Sequence, residues 1–283
     1  MRRVGWHVNA GHPAEVFDER GREQWRLIRS LLVHDGGLDG ASILDFGCGV
    51  GRVLRHAVTE NPEADHWGCD LDARSVEWLQ GNASPRLHVF QSAEWPPLPR
   101  PAGQFDVIYA FSVFTHLVDS WSAWLLEMHR LLKDDGILIA TVFGPGHDAF
   151  AGERVAEEVI GMNVLTPSAN WDDGGPLILH SQWWLRAHWG RAFEILELRA
   201  GDPAGHGPLF GQGLVMMRKR PGTFTVEQLE RAEPGEAREL AAARQNVASL
   251  RREIAVQSRY LTSRSWRLTA PLRALGRRAR RGR

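Results

Sequence analysis

Cysteine is scarce in this chain: 283 residues contain two, Cys48 and Cys69, and no Cys-x-x-Cys pair. Neither a disulfide framework nor a metal site is indicated, and such usage suits a reducing compartment. Net charge is lacking as well, because Lys+Arg and Asp+Glu both number 34. No apolar run approaches the ~18 residues that a membrane span needs. The opening residues, Met1 to Asn9, lack the apolar core of a secretory signal. Together these gaps predict a cytoplasmic chain with room for one full α/β domain and extensions.

Two further absences narrow the ligand. Ile43-Leu44-Asp45-Phe46-Gly47-Cys48-Gly49-Val50-Gly51-Arg52 reads as a strand entering a glycine turn. A dinucleotide fingerprint, G-x-G-x-x-G, would place its third glycine where Arg52 stands. No Gly-Lys-Ser/Thr follows, so the phosphate-cradling pattern fails too. The acidic Asp45 before the turn suits a ligand carrying positive charge better than a pyrophosphate. Nineteen residues after Gly51, Asp70 closes a second strand-like run, His66 to Asp70. A carboxylate at that strand tip suits a ribose diol, and the glycines let the backbone approach a ligand closely.

Ile43 to Arg52 and Gly68 to Asp72 resemble the first and second motifs of the class I S-adenosylmethionine-dependent methyltransferases. Phe90 to Pro99, Phe105 to Leu117 and Leu131 to Val142 resemble the later motifs, in the family's order. The resemblance implies S-adenosylmethionine as cofactor. It assigns the methionine moiety to Asp45 and the Gly47, Gly49 and Gly51 turn, and the ribose hydroxyls to Asp70. Leu71 and Trp95 would sandwich the adenine. Ser92, Ala93 and Glu94 would flank it, with Glu94 or a backbone group replacing the acidic residue that many relatives carry where Ser92 stands. Phe111 would line the crevice beyond the fourth strand.

Strand-helix alternation predicts strands at 42–46, 65–70, 86–91, 105–111 and 137–143. Val50 to Thr59, Arg74 to Gly81 and Ser120 to Leu132 read as intervening helices, with Asp72 as the N-cap of the second. Phe193 to Arg199 and Gly213 to Lys219 read as a closing antiparallel pair. The expected fold is Rossmann-like: a doubly wound, mostly parallel seven-stranded sheet with a C-terminal helical, coiled-coil-like extension. The expected organisation is an N-terminal helical cap (1–40), a methyltransferase domain (41–221) with an acceptor-binding insertion (144–192), an amphipathic helix (222–262) and a basic tail (263–283). Within the insertion, Glu153 to Gly161 reads as a short lid helix.

Glu236 to Leu261 contains no Gly or Pro, and Leu240, Val247, Ile254 and Leu261 recur every seven residues. Two readings stay open: a coiled coil that joins copies of the chain through 236–261, and an amphipathic helix docked on its own domain. The tail after Ser263 has eight arginines, no acid, and Trp266, Leu268, Leu272 and Leu275 among the charges. That mixture favours an anionic membrane surface, on the inner face, over a solubilising tail or nucleic-acid contact. Ser265 to Arg273 also resembles the endings of bacterial glycosyltransferases and methyltransferases that build surface polysaccharide.

A hydroxyl acceptor must shed a proton, which a neutral histidine can take. His116, just past the fourth strand, ranks first as base. His147, after the fifth, ranks second, and His180 is expected to be structural. Trp171, Trp183 and Trp184 are candidate platforms for a sugar face and, equally, candidate core residues. The expected function is O-methylation of a sugar in surface glycan or glycolipid synthesis. Methylation of a small metabolite or a nitrogen acceptor is one alternative, and a non-catalytic cofactor-binding scaffold is another. Nucleic acid is disfavoured, because no Asn-Pro-Pro-Tyr or Asp-Pro-Pro-Tyr pattern follows the fourth strand.

Overall fold

The computed structural model describes residues 14–32, 37–147, 155–156, 160–166 and 175–262. In chain order the elements are α1 (Ala14–Leu32), β1 (Ser42–Phe46), α2 (Leu54–Glu60), β2 (Asp65–Asp70), α3 (Ala73–Asn82), β3 (Leu87–Gln91), β4 (Phe105–Ala110), α4 (Trp121–Leu131), β5 (Leu132–Val142), β6 (Met162–Val164), β7 (Ile178–His180), α5 (Gln182–His188), β8 (Phe193–Arg199), β9 (Gly213–Lys219), α6 (Val226–Glu230) and α7 (Ala237–Thr262).

Seven strands form one sheet in the order β3-β2-β1-β4-β5-β9-β8. The first five run parallel, and β9 pairs antiparallel with both β5 and β8. Strand order reverses between β1 and β4, and ligands of open α/β sheets bind beyond the carboxyl ends at such a switch. β1 shows how alternation builds the two faces. Leu44 and Phe46 join Trp124, Leu125, Met128 and Trp189 on one side. Ile43 joins Trp25, Ile28 and Leu32 of α1 on the other, along with Tyr109 of β4. Trp25 and Ile28 are fully buried, so α1 is a packed layer of the sheet.

Three expectations shift. α2 begins at Leu54 rather than Val50 because Gly51 has φ +75°, a left-handed conformation that an α-helix does not admit. β5 begins at Leu132, five residues early, and its pairing with β4 is irregular between Phe105 and Val107. Asp135 takes φ +61° within that irregular stretch. The region read as irregular between 144 and 180 holds a two-stranded antiparallel ribbon, β6 with β7. Val155, Ala156, Ile160 and Gly161, the described part of the lid helix expected at 153–161, are not helical; the rest of that segment, Trp171 and the basic tail 263–283 lie outside the described residues.

Candidate active site

The glycine turn is suspended from the neighbouring strand. Gly47 and Cys48 both donate their N–H to the Cys69 carbonyl, at 2.9 and 3.0 Å, and Gly51 donates to Cys48 O at 2.9 Å. Gly47 has φ +84°, and a Cβ there would lie 2.4 Å from Val113 Cγ2, so two constraints demand glycine. Gly49 faces open space. Below the turn, Asp70 accepts from Gly49 N at 2.7 Å through Oδ2 and from Asp72 N at 2.8 Å through Oδ1. Asp72 caps α3, accepting from Arg74 N and Ser75 Oγ. Ser92 at the tip of β3 is buried and donates its N–H to Asp70 O. Leu71, Ala93, Glu94 and Trp95 are exposed along the same rim. Asp45, Asp70, the glycine turn, Ser92 and the buried Phe111 thus converge at the carboxyl ends of β1 to β4.

Asp45 is buried at the tip of β1, in register with Gly68 of β2 and Tyr109 of β4. Burial raises its pKa to about 8, against the opposing pull of Tyr109 and the Arg52 guanidinium. Tyr109 faces Asp45 electrostatically, yet its hydroxyl makes no hydrogen bond of ordinary geometry. Arg52 Nη1 is buried and likewise unpartnered. Its guanidinium sits 4.9 Å from the Phe210 ring and 5.8 Å from the Phe17 ring. Burial lowers its pKa to about 10, and Asp45 works against that change. Orphaned buried groups of this kind cost free energy unless a ligand completes them.

The Asp45 shift gives a stability prediction. Native Asp45 keeps its proton up to about pH 8, whereas an unfolded aspartate loses it near 3.8. Its contribution is therefore fully present below that lower value and is lost as pH rises through the upper one. Asp45→Asn should remove a decline on the order of 5 kcal/mol between those limits. Denaturant unfolding at pH 5 and pH 9 checks this: equal slopes against pH in both proteins would refute it.

Sequence reasoning missed the roof of the site. The β8–β9 connection folds back over the sheet ends. Arg20 of α1 donates to Gly207 O, and Gln24 donates to Pro208 O at 2.8 Å. Gln212 Nε2 donates to Ser112 Oγ at 2.8 Å, and Ser112 N donates to Thr141 Oγ1 at 2.7 Å. Ser112 and Phe210 both hold positive φ, 58° and 53°, a strained state for residues with side chains. Arg52 stood inside the first motif, but only as the residue that broke a dinucleotide fingerprint.

The histidines separate by environment. His116 donates from Nδ1 to Pro176 O at 2.7 Å, which places the lone pair of the neutral ring on Nε2. His147 is buried, with Nδ1 3.1 Å from Gly144 O and Nε2 2.8 Å from Gly211 O. It ties the turn after β5 to the roof. His180 is fully buried, and desolvation pushes its pKa down to about 3. Trp184 is a core residue stacked on His188 at 4.4 Å, so it offers no face to a sugar. Trp183 donates to Ile160 O and lies under Arg238.

A family model described as a methyltransferase domain matches residues 17–210. The chain belongs to this methyltransferase-domain family. Within it, the chain is 31% identical over 152 residues to a malonyl-[acyl-carrier protein] O-methyltransferase of Halalkalibacterium halodurans, covering 48% of this chain and 56% of that one. It is 24% identical over 144 residues to a fatty-acid O-methyltransferase of Mycolicibacterium smegmatis, covering 51% and 52%. The chain spans about half the length of the curated relatives it matches. A crystal structure of an S-adenosylmethionine dependent methyltransferase from Mesorhizobium loti shares the fold, with TM-score 0.51 and 18% identity over 64% of this chain and 92% of that one.

The methyltransferase fold implies S-adenosylmethionine, and the residues present fit it. An amino-acid zwitterion needs a guanidinium for its carboxylate, which the unpartnered Arg52 Nη1 supplies, and an acid for its ammonium, which Asp45 supplies by giving up the proton that burial holds on it when the cation arrives. Asp70 stands where a diol would meet a carboxylate, and open space at Gly49 leaves backbone accessible. Among the described residues no group of His, Cys, Asp and Glu could hold a metal ion.

Proposed function

We propose that this chain transfers the methyl group of S-adenosylmethionine to the hydroxyl of a small acceptor, a sugar of a surface glycan or glycolipid being the favoured class. The cofactor supplies a methyl already activated on a sulfonium, so the protein's task is to hold and orient the acceptor and to receive its proton. Asp45 and Arg52 would hold the methionine end, Asp70 the ribose, and Leu71 with Trp95 the adenine. His116 is the proposed base, its Nδ1–H bond to Pro176 fixing the tautomer that a base requires. His147, gripped by two carbonyls, is assigned a bracing role.

One observation carries the cofactor reading: the orphaned Arg52 Nη1 beside the buried pair Asp45 and Tyr109, at the foot of a turn whose Gly47 admits no side chain. Titration calorimetry with S-adenosylmethionine and, separately, NAD tests it. Micromolar binding of the first alone is expected; binding of neither would move the scaffold reading ahead.

A second acceptor class is favoured by the relatives, whose names specify malonyl-[acyl-carrier protein] and a fatty acid. Both present a carboxyl oxygen, which is already ionised and needs no base. Labelled cofactor offered to activated sugars, glycolipids, fatty acids and malonyl-carrier thioesters separates the two classes. No described helix is long and apolar enough to cross a membrane. A cytoplasmic enzyme touching the inner membrane face through 263–283 remains part of the proposal, supported by the eight arginines and apolar anchors of that segment.

A further inference from the structure

α7 docks on the body through one face and leaves a different apolar face uncovered. Ala242 and Ser249 are buried, and Asn246 donates to Met162 O at 2.8 Å while accepting from Asn163 Nδ2 at 3.1 Å and Val164 N at 3.3 Å. Glu239 Oε1 lies 2.8 Å from His188 Nε2. A Cβ on Gly161 would approach that of Ala242 to 2.9 Å, so the absent side chain lets helix and ribbon meet closely. The docking positions are thus 239, 242, 246 and 249.

The heptad residues are elsewhere. Leu240, Val247, Leu250 and Ile254 are 56%, 46%, 45% and 64% exposed. Successive residues of an α-helix are rotated by about 100°. That rotation places these four on a stripe roughly a quarter-turn from the docking face, with Ala243 between them. Beyond Ser249 every side chain through Arg259 is exposed except the half-buried Glu253, so Leu250 and Ile254 of the stripe face solvent. A solvated helix face ordinarily carries polar residues, and a contiguous apolar stripe marks a contact surface.

We propose that a second copy of this chain covers the stripe, as a parallel two-stranded coiled coil. With Leu240, Val247 and Ile254 in the first core position of each heptad, Ala243, Leu250 and Gln257 take the second. β-Branched residues at the first position with leucine at the second favour two parallel strands, as Val247, Ile254 and Leu250 provide. The flanking charges select the orientation. Glu239 and Glu253 border one side of the seam, and Arg244 and Arg251 border the other. In a parallel pair each flank faces the opposite flank of the second copy five residues on, so Arg244 and Arg251 stand beside the second copy's Glu239 and Asn246, which keep their contacts to His188 and to the β6 ribbon within their own copy. An antiparallel pair sets acid against acid and arginine against arginine, which is disfavoured. Ala243 and Gln257 weaken the seam, so association is reversible. The proposal stands apart from the methyltransferase reading, since no residue of the seam borders the cofactor crevice.

Sedimentation equilibrium of the full chain tests it. The expected result is twice the 31.8 kDa chain mass at tens of micromolar, falling towards the chain mass on dilution. The double variant Val247→Glu, Ile254→Glu should stay at the single-chain mass, with the thermal midpoint of the dilute, dissociated wild type, because both side chains are exposed in one copy. Leu240→Cys should give an oxidised covalent dimer, since a parallel seam places that position against itself; the native Cys48 and Cys69 are buried. A single-chain mass at all concentrations overturns the proposal. So does a dimer that survives both glutamates, or one that Leu240→Cys fails to cross-link. Loss of anionic-vesicle binding in the glutamate variant, with the wild type at single-chain mass, would assign the stripe to lipid instead.

Discussion

Asp70→Ala is expected to weaken S-adenosylmethionine binding at least ~100-fold by titration calorimetry. Two effects add. A carboxylate that accepts from a ribose diol loses hydrogen bonds to a charged group, each worth about 1.5–3 kcal/mol. The same carboxylate also anchors the turn, because Gly49 N and Asp72 N both donate to it. Without it both donors lose their partner, and the glycine turn loses its link to the start of α3. Asp70→Asn separates the contributions. The amide keeps the shape and one acceptor, so its loss should fall near tenfold, with the turn intact by circular dichroism. Binding by Asp70→Ala within threefold of wild type would show that the ribose is held elsewhere.

The second large effect is kinetic. His116→Ala should lower kcat on a hydroxyl acceptor by ~10²–10⁴, the usual range for a positioned general base, with cofactor affinity unchanged. The acidic limb of the wild-type rate profile, which reports a base that must be unprotonated, should vanish in the variant. A merely structural histidine would lower the melting temperature and leave that limb in place. Pro176 enters the same argument: its carbonyl holds Nδ1, so the segment before β7 sets the ring's orientation. Unchanged kcat in His116→Ala, with turnover of a fatty acid or a malonyl-carrier thioester, would assign the chain to carboxyl methylation.

What could be read from the sequence was local. Gly47, Gly49 and Gly51 announce themselves because all three adopt positive φ, and the Asp72 cap follows from its position before a helical run. The β8–β9 pair was visible as two apolar runs that end in polar residues. Arg52, Tyr109, Phe210 and Gln212 were not legible as site residues, because their roles arise across the sheet. Gln212 reaches Ser112 one hundred residues away in sequence, and no periodicity encodes that meeting. β6 and β7 are three residues each, too short for alternation to register. The heptad of α7 was plain, whereas the face used for docking was not, since Ala242, Asn246 and Ser249 carry no hydrophobic signal.

The position of β9 bears on how the chain is made. β9 is inserted between β5 and β8, although it is the last of the described strands in sequence. Ribosomal synthesis delivers the glycine turn, Asp70 and all five parallel strands by Val142. The outer edge of β5 then waits for Gly213–Lys219, its antiparallel neighbour. During that interval a long apolar strand, Ile137 to Val142, presents unpaired backbone to whatever lies nearby. The roof residues Phe210 and Gln212 emerge just before β9, so site completion and edge closure coincide on the nascent chain. A polypeptide stalled before residue 213 would therefore expose an adhesive edge and an open crevice together, and would be a client for chaperones rather than a partial enzyme.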